Sequence, residues 1–262
     1  MKNYKQFLLE HYYTDAKLWK GTKALTEKET IKLLQTECLD YFDYNLDKLI
    51  LRYSQMGGMK YIYTDPQKFN RKSSNTSNYY TLIMNNDPSW EHLPKRKLSC
   101  SHTEIDSDEV KDRGNEDVYV VVPFDGNVWG VCPKIDMWDS IKNLGDKRLD
   151  HLNRQLEDIA DYLQMRLRDD NIKNFKEDLK EIDLELKNAD DINYDHFDNL
   201  VYNFKDSGDI YQYLVDLLEP NKNNIKLLST REVYNMTGKD KEVWTEGKCL
   251  MIQVDEYERI TK

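Results

Sequence analysis

The stretch VYVVVPFDGNVWGVC, residues 118–132, decides the fold class. Two short runs rich in β-branched and aromatic residues, 118–122 and 128–132, flank the turn sequence PFDGN. Asp125-Gly126 within it is a strong hairpin signal. The same form returns in KEVWTEGKCLMIQV (241–254), which reads as a second hairpin turning near Glu246-Gly247. YYTLIM (79–84), aromatic and apolar between asparagines, reads as another strand, as does 98–101. The polar stretch His102 to Asp117 reads as loop with room for one helical turn.

Outside these strands the pattern is helical. Thr26 to Glu29 (TEKE) has the form of a capping box, in which the first side chain and the last satisfy each other's backbone N–H. Ile31, Leu34, Cys38, Phe42, Leu46, Leu49, Ile50 and Tyr53 then follow at helical spacing, and Gly57-Gly58 stops the run. A shorter helix is expected near Tyr4 to Tyr12. Further on, Leu152, Leu156, Ile159, Leu163 and Leu167 line one face. Ile172, Phe175, Leu179, Ile182 and Leu186 line a second, at steps of three and four. Phe197, Leu200, Val201 and Phe204, then Ile210, Leu214 and Leu217, continue the block until Pro220 and its asparagines end it. The expected class is α+β, with a mixed or antiparallel β core, N-terminal helices and a helical insertion at 150–219 within a single domain, 1–262.

Charge separates these parts. The chain carries a net charge of −10, and residues 155–219 hold 18 acidic against 7 basic residues while the remainder holds 30 against 31. The insertion therefore carries the whole negative charge. Residues 60–97 reverse the balance, with 7 basic and 3 acidic residues, which suits an anionic ligand as well as a solvated face. No window approaches ~18 apolar residues, so no membrane span is expected. The opening MKNYKQFLLEHYYTD lacks the apolar stretch of a secretory leader. Cys38, Cys100, Cys132 and Cys249 form no CxxC pair, and the five histidines no HExxH spacing, so neither a metal site nor a disulfide framework is indicated. A reducing cytoplasm is the simplest compartment.

The short polar segments carry a resemblance. Arg71 heads NRKSSNTSNYYT (70–81), and PSWEHLPKRKLSCSHT (88–103) places Arg96 just ahead of Ser99 and Ser101. A strand pair, the helices and KDKEVWTEGKCL (239–250) follow. This order resembles the mono-ADP-ribosyltransferases of the arginine–serine–glutamate type, especially phage and bacterial versions, over roughly residues 17–135 and 225–254. Those enzymes split NAD and pass ADP-ribose to a target. Their pattern is a first-strand arginine in an aromatic-Arg-Gly setting, a Ser-x-Ser strand, and a late glutamate opening a strand. Glu242 matches the late glutamate, and Asp240 stands two residues before it, where that family often has a second glutamate. Ser99 and Ser101 both match the serine strand. For the arginine, Lys20 in LWKGT (18–22) stands at the expected place, and Arg71 is the other candidate.

The resemblance implies a split β core of ADP-ribosyltransferase type and an assignment of roles. Breaking the nicotinamide–ribose bond develops positive charge on the ribose, which a carboxylate such as Glu242 stabilises. Lys20 or Arg71 would meet the pyrophosphate. Tyr79, Tyr80 or Trp244 would stack on nicotinamide or adenine, and the serines would orient Glu242 or the ribose. NAD is then substrate, a macromolecular acceptor, most simply a protein, receives ADP-ribose, and the setting is a toxin-like effector in the host cytoplasm. Two other classes compete: a non-enzymatic protein that docks a basic partner on its acidic helices, and a nucleic-acid binder using residues 60–97. The net charge of −10 argues against the second.

Overall fold

The structure, a computed structural model, describes residues 20–44, 46–54, 56, 58–69, 71, 78–104, 118–141, 149–188 and 199–261. The helix expected over Tyr4–Tyr12 and the loop residues 105–117 lie outside them. The chain forms two compact units. One takes the chain up to Arg71 with Leu93–Ile135 and the chain from Lys226 onward; the other takes Lys72–His92 and Asp136–Ile225.

The first unit is a nine-stranded antiparallel sheet with helices beside it. In chain order it contains β1 (Thr22–Ala24), α1 (Glu27–Glu37), a 3-10 turn (Leu39–Asp43), β2 (Leu49–Tyr53), β3 (Tyr61–Thr64), β4 (Leu98–Thr103), β5 (Val118–Pro123) and β6 (Val128–Val131). After the excursion into the second unit come β7 (Lys226–Ser229), a short helix (Thr230–Tyr234), β8 (Lys241–Thr245), β9 (Cys249–Gln253) and a terminal helix (Val254–Thr261). The second unit is helical among its described residues: Tyr79–Asn86, Leu149–Tyr162, Ile172–Asn188, Asn199–Ser207 and Ile210–Leu217. The described residues thus hold eight α-helices, and none is long and apolar enough to cross a membrane.

The strand order is β1-β3-β9-β5-β2-β4-β8-β6-β7. Two expected hairpins are therefore not hairpins. β5 and β6 follow each other in the chain, yet β2, β4 and β8 lie between them; β4, β2 and β5 lie between β8 and β9. Four steps of about 4.8 Å would part such strands by about 19 Å in a flat sheet. Links of three or four residues reach at most roughly 14–18 Å. The sheet cannot lie flat; it curls until both links close. Gly126 still makes the expected turn, with φ of 78°, but the strands on either side of it take other partners.

Two further expectations change. The helix that begins at the Thr26 capping box ends at Glu37, where the Asp125 carboxylate accepts the N–H groups of Leu39 and Asp40 at 3.1 and 3.0 Å. Leu49–Tyr53 is a central strand instead of the tail of that helix. Leu49, Ile50 and Leu51 are buried in succession, which a strand covered on both faces requires and a one-sided helix does not allow. Conversely, Tyr79–Met84 is helix, not strand. All six residues are buried, so no polar face marks the helical period, and a short all-apolar run reads alike for either state.

In the helical unit most of each stripe faces inward, while Leu163 and Leu167 lie past the end of their helix and, with Ile172, are only half-buried. Leu152, Leu156 and Ile159, then Phe175, Leu179, Ile182 and Leu186, then Ile210, Leu214 and Leu217 are buried. The side chains of Leu200 and Val201, and residue Phe197, lie outside the description.

The tightest packing in the sheet is that of Trp244 on Gly130, its β6 partner. A Cβ on Gly130 would lie 2.1 Å from Trp244 Cε2 and 2.2 Å from Cζ2. The indole is fully buried and its N–H donates to the Pro94 carbonyl at 2.8 Å, so it has no open space to move into. Gly130→Ala should therefore destabilise the sheet unit by about 1–3 kcal/mol, the usual cost of overpacking. The check is urea unfolding followed by tryptophan fluorescence, with the midpoint lowered and the slope retained.

Candidate active site

β8 lies between β4 and β6, and its pairing with β4 sets Ser101 opposite Glu242 and Ser99 opposite Trp244. Partners across an antiparallel ladder share a face, and alternate residues on a strand share it too. Ser99, Ser101, Glu242 and Trp244 therefore lie together on one side of the sheet. Ser99 and Glu242 are both buried.

Two guanidinium groups, those of Arg96 and Arg71, reach this patch, and a third, that of Arg52, meets the Ser99 backbone from the other face. Arg96, two residues before β4, pairs through Nη2 with Glu242 Oε1, and both side chains are buried. Arg71 Nη1 donates to the Ser99 hydroxyl at 2.6 Å and to the Arg96 carbonyl at 3.3 Å. Arg52 Nη1 donates to the Ser99 carbonyl at 2.7 Å. Arg52 comes from the opposite face, because its neighbour Leu51 is the residue paired with Ser101. The buried thiol of Cys100, between the two serines, registers this field: burial pushes it up to about 12, Arg52 and Arg71 pull it back, and Glu242 adds to the rise.

Asp240 is held in a neighbouring group instead. Lys48 Nζ lies 2.6 Å from its Oδ1, and the Thr103 hydroxyl donates to Oδ2 at 2.6 Å. Burial disfavours its charge, but these two partners outweigh burial and hold the carboxyl below its usual range. Lys48 is fixed in turn by the Gly238 carbonyl at 2.7 Å. His102 lies close by on β4, its ring edge-on to Tyr234.

The structure gathers only part of the expected set. Glu242, Ser99, Ser101 and Arg71 come together. Trp244 shares their face, but it is fully buried against Gly130. Lys20 is exposed in the turn before β1, an edge strand that five others separate from β8 in the sheet order. Tyr79 and Tyr80 belong to the helical unit. Tyr79 stacks on Phe175 with centroids 4.8 Å apart, and its hydroxyl reaches Glu157 at 3.4 Å.

Sequence reasoning missed two contributors. Arg52 lies on a strand that borders the serine strand. A helical reading of 31–53 hid that strand. Arg96 was visible only as a cation ahead of the serines. Its pairing with a residue 146 positions away depends on the register of β4 with β8. Among the described residues no group of three or more His, Cys, Asp or Glu is placed to hold a metal ion. Comparison with protein-family models, curated proteins and solved structures gave no match.

His102 gives the site a measurable pH signature. It is 1% exposed, and burial, then Lys48 and Lys241, push its pKa down to about 4, with Asp240 opposing. The unfolded chain, with an ordinary histidine near 6.5, then binds the extra proton first. Stability is complete above about pH 6.5 and falls as the pH drops toward 4, by about 3 kcal/mol in all. Asp240, whose carboxyl is lowered, contributes its loss only below that window. His102→Gln should flatten the stability–pH curve between pH 6.5 and 4 relative to the parent protein, measured by urea unfolding at stepped pH.

Proposed function

We propose that this protein cleaves NAD and transfers ADP-ribose to a macromolecular acceptor, most simply a protein, in the cytoplasm. One observation carries the reading. Two adjacent strands, β4 and β8, bear a Ser-x-Ser pair and a strand-opening glutamate, with Ser101 directly opposite Glu242 and Arg71 donating to Ser99. Those residue types are among the ones the sequence resemblance names. They are brought together by strands far apart in the chain.

The chemistry follows from the groups present. The glycosidic bond to nicotinamide breaks with positive charge growing on the ribose, and the Glu242 carboxylate stabilises that charge. Arg71, already fixed on the Ser99 hydroxyl, supplies a cation for the pyrophosphate. Ser99 and Ser101 orient the sugar or the carboxylate by hydrogen bonding. The four cysteines, all free and buried, suit a reducing compartment. The acidic helical unit serves to attract a basic partner.

A second reading, a non-enzymatic interaction protein, draws on one observation. Asp240, which stands where the resembled family often has a glutamate, is tied to Lys48 and Thr103.

Nicotinamide release decides between them. Glu242→Gln keeps the shape and removes the charge, and should slow release by about 10²–10³, as losing one such electrostatic contact does. NAD affinity should change far less, because the developing charge exists only in the transition state. Glu246→Gln, in the link after β8, is the matched control and should cost little. Absence of release by the wild-type protein, with NAD and a cell extract supplying acceptors, would favour the interaction protein.

A further inference from the structure

We propose that Arg96 is a positioning residue that acts on the reaction through Glu242 and not through the phosphates of NAD; the inference rests on the reading of Glu242 given above. Arg96 and Glu242 form an ion pair in which the side chains are only 6% and 10% exposed. A carboxylate this deep needs an opposite charge with good geometry, since its lost hydration is costly. Arg96 supplies that charge from one fixed direction.

The segment that carries Arg96 is pinned at each of its residues that matter. At Pro94 the carbonyl accepts the Trp244 indole N–H at 2.8 Å. At Arg96 the carbonyl accepts from Arg71 at 3.3 Å. At Lys97 the side chain donates to the Phe69 carbonyl at 2.9 Å. Trp244 itself stands two residues after Glu242 on the same strand and face. The strand that bears the carboxylate thus also anchors the loop that bears its cation. The two cannot shift independently, which is the preorganisation that electrostatic catalysis needs.

Arg71 and Arg96 differ in the partners they meet. Arg71 donates to the Ser99 hydroxyl and to the Arg96 carbonyl. Arg96 is committed to a carboxylate. Drawing it away to a phosphate would break a buried ion pair.

The test is a double-mutant cycle on purified full-length protein, with nicotinamide release and NAD binding both measured. Arg96→Gln should slow release by about 10²–10³, matching Glu242→Gln, and leave NAD affinity within about twofold. The double variant, Arg96→Gln with Glu242→Gln, should be no slower than Glu242→Gln alone, because residues acting as one unit do not add. Arg96→Lys, which keeps the charge but loses the planar fork, should recover part of the rate. Should Arg96→Gln fail to fold, the double variant removes both charges together, and its comparison with Glu242→Gln still decides the matter. Additive losses, or NAD binding weakened about tenfold or more, would overturn the assignment and make Arg96 a phosphate ligand. Slow Glu242→Gln with normal Arg96→Gln would overturn it while leaving the proposed function standing. Wild-type protein that releases no nicotinamide would bring both down.

Discussion

Two chain links, 124–127 and 246–248, run side by side across the curl of the sheet, and the rest of the sheet unit depends on how they lock. The Phe124 N–H donates to the Lys248 carbonyl at 3.0 Å, and the Asn127 side chain donates to the same carbonyl at 2.8 Å. Asn127 reaches it through the space over Gly247, where a Cβ would lie 1.7 Å from its Oδ1. Beyond the links the Thr245 hydroxyl donates to the Val128 carbonyl, and the Thr230 hydroxyl to that of Asn127, each at 2.9 Å. These bonds hold β5 to β9 on one side of the crossing and β6 to β8 on the other. Had β8 and β9 closed as a hairpin, β9 would occupy one edge of β8. The crossing leaves both edges of β8 for β4 and β6, and that places Glu242 opposite Ser101.

The electrostatics of the site are hard to explain as a device for stability. Replacing a buried ion pair with well-packed apolar residues is often neutral or stabilising. Bringing the Arg71 and Arg52 guanidinium groups to one serine adds mutual repulsion. The sheet has ample apolar core without them: Ile50, Leu51, Tyr119, Val120, Val121, Leu250 and Met251 are all fully buried. Cationic groups gathered beside one carboxylate make better sense where an anion must be held while positive charge develops a short distance away.

Five of the nine strands were legible, β1, β2, β3 and β7 were not, and the partners of none were. The runs at 118–122, 128–131 and 241–245 announce themselves by β-branched and aromatic content, and the turn at Asp125-Gly126 by its residues. Strand pairing depends on side chains such as Asn127 and Thr245 reaching across links more than a hundred residues apart, and local pattern carries no trace of that. Leu49–Tyr53 and Tyr79–Met84 were misread in opposite directions for one reason: burial on every side erases the periodicity that distinguishes helix from strand. The first error hid Arg52. Glu242 and the serines were legible because each opens or fills a strand identifiable alone, whereas Arg96 gained meaning only from register. Asp240 was rightly seen beside Glu242 in sequence, yet it serves a separate cluster with Lys48 and Thr103.

The negative charge of the helical unit is also less uniform than its sum suggests. Several of its carboxylates do internal work. Asp183 and Asp209 accept backbone N–H groups at the start of helix Ile210–Leu217, Asp178 binds Arg168, and Asp87 receives the Tyr211 hydroxyl. The outer face of helix Ile172–Asn188 mixes Lys173, Lys176 and Lys180 with Glu177, Glu181 and Glu185, so it presents little net field. Helix Leu149–Tyr162 differs. Its C-terminal half exposes Glu157, Asp158 and Asp161 with Tyr162 after them. Acidic groups at a helix C-terminus oppose the helix dipole and cost stability. Charge kept where it costs sets this turn apart from the mixed outer face of helix Ile172–Asn188, so the negative field of the unit is concentrated there and not spread over the block.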